Sequence, residues 1–202
     1  MQNFFKIRAE KQEHIINAGF QVFGKQGYRK ASVGDIANAA GVTKGMIAYY
    51  FGSKKNLYLY LVEVSQTRMT QAIKERITPD VTDFFEKMKI ATEIQLAAFR
   101  EHPALIKFLN SIYFETELEV VEDIKQIAEA EDNRFNRVLL DGTDFSKFEP
   151  GVDPHLICKF IFWADYGFMT EMMESDSGKV MSLVAEFYSC LDVMRKIFYR
   201  EA

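Results

Sequence analysis

A chain of 202 residues that is 48% hydrophobic and 27% charged is neither disordered nor collagen-like, and it is long enough to bury one large core or two small ones without disulfide staples. Its formal net charge of −4 conceals a split: residues 1–56 carry nine Lys/Arg against Glu10, Glu13 and Asp35, and the remainder carries 16 against 26. Such asymmetry suits a polyanion-binding N-terminal module on an acidic body, and on charge alone it suits a merely solvated basic face equally well.

The N-terminus "MQNFFKIRAEKQEHII" places charges where a signal peptide needs an apolar run. The longest apolar stretch, "LICKFIFWADYGFMTEMM", is interrupted by Lys159, Asp165 and Glu171, so no membrane span is expected. Cys158 and Cys190 have no C-x-x-C partner, which points to a reduced, cytoplasmic protein with buried free thiols.

Helical periodicity dominates, and an all-α chain of about nine helices is expected. The first runs over about 8–25, with Ile15, Gly19, Val22 and Phe23 on one face and a stop at Gly27. Ser32 can cap the second, with Asp35 three residues on returning the bond, and Gly41 can close it. Thr43 caps a short third helix, 44–51, and Ser53 a longer fourth that reaches about 77. Beyond Pro79, helices are expected over 81–101, 103–114 and 117–140. The loop 141–154 follows, then helices over 155–175 and 178–200.

Helix, three-residue connection and short helix make a helix-turn-helix, in which the second helix enters the major groove. At about 100° per residue, Lys44, Gly45, Ala48 and Tyr49 share one side of the short helix, and Ile47 and Phe51 share the other. Met46 and Tyr50 lie between. The outward side offers a cation for guanine O6 or N7, a bare backbone for close approach, a methyl for a thymine methyl and a phenol for phosphate or sugar. Tyr50 is divided between a phosphate contact and the core of the small domain. Lys54, in the first turn of the fourth helix, can hold a phosphate together with backbone amides.

The run "GYRKASVGDIANAAGVTKGMIAYYFGSKKNLY", Gly27 to Tyr58, closely resembles the N-terminal DNA-binding domain of the tetracycline-repressor (TetR) family of bacterial transcription regulators. The resemblance spans 9–69, with the helix-turn-helix at 32–51, and implies that 70–202 is an effector-binding and dimerisation domain. It implies a ligand-responsive regulator, a repressor, that binds a palindromic operator in double-stranded DNA as a homodimer and is released by a small hydrophobic effector. No cofactor, metal, membrane or catalytic role is implied. Lys54 corresponds to a phosphate-contacting lysine, and Ser32, Val33 and Thr43 carry over as phosphate-side positions, with Met46 at the edge of the reading face. Ala48 departs from the aromatic common there in relatives. On that departure rests an alternative: a helical ligand-binding dimer without sequence-specific DNA binding.

In the last two helices Phe160, Phe168, Leu183, Phe187, Leu191, Met194 and Phe198 have the spacing of a four-helix dimer interface, and the same stripe would also serve packing within one chain. Phe84, Met88, Phe99, Phe108, Tyr113, Phe135, Trp163, Tyr166 and Met169 form an aromatic and Met-rich set that could line an effector pocket or be plain core. No H-E-x-x-H, G-x-S-x-G, Walker loop or Cys/His zinc spacing occurs, so an enzyme is not expected.

Overall fold

A computed structural model describes residues 1–175 and 177–200, without the side chains of 131–133, 177 and 178. Among the described residues there are nine α-helices and no strand. They are α1 (Ala9–Lys30), α2 (Val33–Ala39), α3 (Lys44–Phe51), α4 (Lys54–Arg76), α5 (Phe84–Glu101), α6 (Pro103–Tyr113), α7 (Val121–Leu140), α8 (Pro154–Glu174) and α9 (Ser177–Phe198). Single 3-10 turns occur at Phe4–Lys6 and Phe145–Lys147. The expected break between the last two helices includes residue 176, which lies outside the described residues.

Two boundaries differ from the sequence reading for local reasons. α1 does not end near Lys25: the chain breaks at Gly27 (φ 71, ψ 171), which only glycine adopts freely, and then takes a further helical turn to Lys30. α7 begins at Val121 because Glu115 organises the preceding loop, its Oε1 accepting from the amides of Thr116 and Glu117 at 3.0 Å each.

The chain divides into two compact units, Met1–Met69 with Ala97–Glu131 and Thr70–Leu96 with Asp132–Ala202. The first therefore takes in α6, which the boundary at 69/70 had left to the C-terminal domain. The cause is apolar burial on α1. Phe108 of α6 is fully buried, its ring centroid 5.2 Å from that of Phe20 and 5.5 Å from that of Tyr58. A Cβ on Gly24 would stand 2.9 Å from the backbone nitrogen of Phe108, so α1 and α6 approach as closely as they do because position 24 has no side chain. Each fully buried aromatic contributes about 1.5–3 kcal/mol. The half-exposed ion pair Lys55–Asp123 (2.8 Å), between the starts of α4 and α7, is worth at most about 1 kcal/mol, so packing rather than charge holds α6 and the start of α7 in this unit.

In the second unit Phe84, Phe85, Phe148 and Tyr199 form an aromatic knot with ring centroids 4.9–6.5 Å apart. It is fastened by the Tyr199 hydroxyl, which accepts from the Phe84 amide at 3.0 Å, and by Asp83, which accepts from Lys147 and Arg195 at 3.0 Å each. Lys87 is buried, and its ammonium donates to the carbonyl of Asp141 and, at 3.0 Å, to Thr143 Oγ1, closing the C-terminal end of α7. No described helix is long and apolar enough to cross a membrane.

Candidate nucleic-acid interface

α2 and α3 owe their starts to side-chain caps. Ser32 Oγ accepts from the Asp35 amide (3.1 Å) while its hydroxyl donates to Asp35 Oδ2 (2.8 Å), and Thr43 Oγ1 accepts from the Met46 amide (3.3 Å). Gly41 (φ 65) and Gly52 (φ 77) lie on either side of α3 in left-handed backbone that other residues adopt only with strain. Gly45, inside α3, has no such need: its φ is negative, and the nearest atom to an added Cβ is Thr43 Oγ1 at 3.9 Å. Among the described residues nothing requires glycine at 45.

One face of α3 is buried, through Ile47, Tyr50 and Phe51, and the other carries exposed Lys44, Gly45, Ala48 and Tyr49. Tyr49 is 68% exposed and Tyr50 only 7%, so the adjacent tyrosines have different surroundings. Tyr50 sits in the core, its ring 5.7 Å from that of Phe4, which also packs on Phe51 (4.8 Å) and Tyr60 (5.6 Å). This corrects the phosphate reading of Tyr50. Ser32 and Thr43 remain exposed beside the caps they make, and Val33 and Met46 are half-buried.

Lys54 requires a second correction. Its ammonium does not project from α4; it donates to the carbonyls of Tyr28 (3.1 Å), Ala31 (3.4 Å) and Arg29 (3.5 Å) and lies 4.3 Å from the Tyr28 ring centroid. A cation at a helix C-terminus satisfies carbonyls that have no partner and meets the negative end of the helix dipole. From the other side Glu115 Oε2 accepts from the Tyr28 amide at 3.1 Å. The turn after Gly27 is thus held by a lysine and a glutamate. Burial pushes the Tyr28 hydroxyl well above its ordinary range, and the neighbouring Glu119 pushes it in the same direction.

The sequence reading missed Asn3, Phe4 and Lys11. Asn3 Nδ2 donates to the Tyr49 hydroxyl oxygen at 2.7 Å, and Lys11 Nζ lies 3.9 Å from Met46 Sδ. Phe4 and Phe5, adjacent aromatics outside any helical pattern, were the only signal available.

The two residue sets assigned to the C-terminal helices do not hold together as assigned. Phe108 belongs to the core of the first unit and Phe84 to the aromatic knot of the second. Phe99 and Tyr113 also fall in the first unit, and Tyr113 and Trp163 are exposed. Met88, Phe135, Tyr166 and Met169 remain together in the second unit, on α5, α7 and α8. Of the dimer set, Phe168 and Phe187 stack within the chain at 4.5 Å and Leu191 is buried; Leu183, Met194 and Phe198 are half-buried; Phe160 is exposed. The large apolar residues exposed on these helices are Leu156, Phe160 and Trp163 of α8 and Met181, Val193 and Ile197 of α9.

The second unit also contains a carboxylate among apolar helices. Asp165 of α8 accepts from Gln95 Nε2 of α5 at 2.8 Å, and burial, partly offset by that bond, pushes its pKa up to about 6. Among the described residues no three His, Cys, Asp or Glu converge to hold a metal.

A helix-turn-helix whose second helix turns Lys44, Gly45, Ala48 and Tyr49 outward has the form of a DNA-binding element. Residues 15–61 match the model of the bacterial regulatory proteins of the tetR family. Over 60 residues it is 37% identical to the HTH-type transcriptional regulator AcrR of Shigella flexneri, covering 30% of this chain and 28% of AcrR. The chain spans 28–56% of the length of the curated relatives it matches. The fold extends further. The fatty acid degradation regulator FadR from Bacillus halodurans superposes with a TM-score of 0.73 at 24% identity, over 89% of this chain and 96% of FadR. FadR from Bacillus subtilis, solved in complex with stearoyl-CoA, does so with a TM-score of 0.64 at 25% identity, over 90% and 96%.

Two outcomes follow from the charged groups. Lys54→Ala removes the donor to the carbonyls after Gly27 and should lower unfolding free energy by about 1–3 kcal/mol in urea titration, with no change in the salt dependence of DNA binding. Unchanged stability with a flatter salt slope would restore the phosphate assignment. For Asp165, a folded pKa above the unfolded one means that stability is lost as pH rises from about 4 to about 6 and stays lost above. A tenfold change in a protonation equilibrium corresponds to about 1.4 kcal/mol, so Asp165→Asn should be about 1–3 kcal/mol more stable than the parent at pH 7.5, with the gap closing toward pH 4. A gap independent of pH would show that Asp165 is not the titrating group.

Proposed function

We propose that the protein is a DNA-binding transcriptional regulator that represses from a palindromic operator as a homodimer and is released by a small hydrophobic effector. The observation that carries this reading is α3 itself: Ile47, Tyr50 and Phe51 anchor it, while Lys44, a glycine that no described residue requires, Ala48 and Tyr49 face outward. One eight-residue helix covers little of a groove. Two, placed about 34–36 Å apart by a dimer, match successive major grooves on one side of the duplex.

The exposed large apolar residues Leu156, Phe160 and Trp163 of α8 and Val193 and Ile197 of α9 support dimerisation, because such side chains are costly to leave in water. Residues 9–69 serve as the DNA-binding domain, and effector binding and dimerisation fall in 70–202, apart from α6, which packs with the reading head. The cytoplasm is the compartment this function requires. A long acyl chain is the first effector to test. Its support is the likeness to the FadR solved with stearoyl-CoA and the flexible apolar side chains Met88, Phe135, Tyr166 and Met169.

Duplexes selected by the protein from a random pool test the reading. The parent should bind a selected duplex at least about 10³-fold more tightly than a random one. Lys44→Ala should lose about 1–3 kcal/mol on the selected duplex and less on the random one. Equal affinity of the parent for both duplexes would reject sequence-specific binding.

A further inference from the structure

Lys54 and Lys55, the two lysines that open the helix after the reading helix, are engaged within the chain, and Arg29 lies near a carboxylate. Lys54 caps the end of α1, Lys55 pairs with Asp123 at 2.8 Å, and Arg29 lies 3.9 Å from Glu117. On α3 itself Lys44 is the one basic residue. A groove-binding head needs phosphate contacts on both sides of its helix, because these provide most of the affinity and set the register.

The segment before α1 can supply them. Phe4 is fully buried in a cage of Tyr50, Phe51 and Tyr60, the 3-10 turn closes with the Phe4 amide donating to the Met1 carbonyl at 2.8 Å, and Gln12 Nε2 donates to the Ile7 carbonyl at 2.9 Å. The segment is a built element, held by the same core that holds α3. The segment touches α3 through Asn3 at Tyr49 and through Phe4 at Tyr50 and Phe51, and Lys11 in the first turn of α1 lies at Met46, so the chain from Asn3 to Lys11 is tied to the reading helix at both ends. Lys6 and Arg8 lie on that stretch, both exposed, and neither makes an ion pair among the described residues.

The bond from Asn3 has a direction that matters. The amide donates and the phenol oxygen accepts, so the Tyr49 hydroxyl proton is left to point elsewhere. Phosphate oxygens accept and do not donate. A phenol that already accepts one bond is therefore set up to donate to one.

We infer that Met1–Arg8 is a second, preassembled DNA-contacting element, in which Asn3 is a positioning residue that turns the Tyr49 hydroxyl toward a phosphate and Lys6 and Arg8 contact the backbone beside the groove. This rests on the DNA-binding reading above. Because Phe4 already fixes the segment, no ordering cost falls on binding, unlike for a flexible arm.

Deleting the segment would remove Phe4 from the core, so the test uses point variants of the full chain on a duplex selected by the parent and on a random duplex of equal length. Lys6→Ala with Arg8→Ala should weaken binding to both and reduce the slope of log K against log salt by about 0.9 for each phosphate that is no longer neutralised. Asn3→Ala should leave the melting temperature unchanged, weaken binding about three- to tenfold, and have no further effect once Tyr49→Phe is present. An unchanged salt slope, or an Asn3→Ala effect that persists in full beside Tyr49→Phe, would overturn the proposal while leaving DNA binding intact. Failure of the parent to select any duplex would overturn the underlying reading, and this inference with it.

Discussion

α3 exists because one of its faces is buried. It is eight residues long, well short of the roughly 12–15 that an isolated helix needs in water, so its caps alone could not sustain it. Ile47, Tyr50 and Phe51 supply what is missing, with Phe4 and Tyr60 completing the cage around two of them. Once that face is fixed, the helical period decides the rest: Lys44, Gly45, Ala48 and Tyr49 have no choice but to point outward. Adjacent tyrosines about 100° apart on a helix cannot share an environment, and here one is core and the other solvent-facing.

Residues far apart in sequence brace this head. The turn after Gly27, between α1 and α2, is held by Lys54 through its carbonyls and by Glu115 through the Tyr28 amide. α6 packs on α1 without slack, since the Cα of Gly24 faces the backbone at Phe108. α1 and α6 are therefore one close-packed pair within the first unit.

The fold was legible because its punctuation is local. Ser32 with Asp35, Gly41 and Thr43 mark both ends of α2 and the start of α3 within a few residues, and the anchors Ile47 and Phe51 follow from spacing. Legibility failed where a side chain's partner is distant or where a helix is apolar all round. Lys54 looked like a phosphate ligand because its carbonyl partners lie on another helix. Tyr50 lay at the edge between the two faces, and its burial depends on Phe4, which no helical pattern includes. α8 carries large apolar residues on both sides, Ile157, Ile161 and Phe168 inward and Leu156, Phe160 and Trp163 outward, so periodicity could not choose between interface and core. The aromatic set assigned to a pocket was a matter of composition: Phe108 is in the core of the first unit and Phe84 in that of the second, while Tyr113 and Trp163 are exposed.

Dimethyl sulfate protection on a duplex selected by the protein tests the central claim most directly, because guanine N7 faces the major groove and adenine N3 the minor. The account predicts two patches of protected guanine N7, centred about one helical turn or a multiple of it apart, that are lost with Lys44→Ala while adenine N3 in the reading segments stays reactive. Protection confined to adenine N3, or guanine protection that survives Lys44→Ala unchanged, would contradict it.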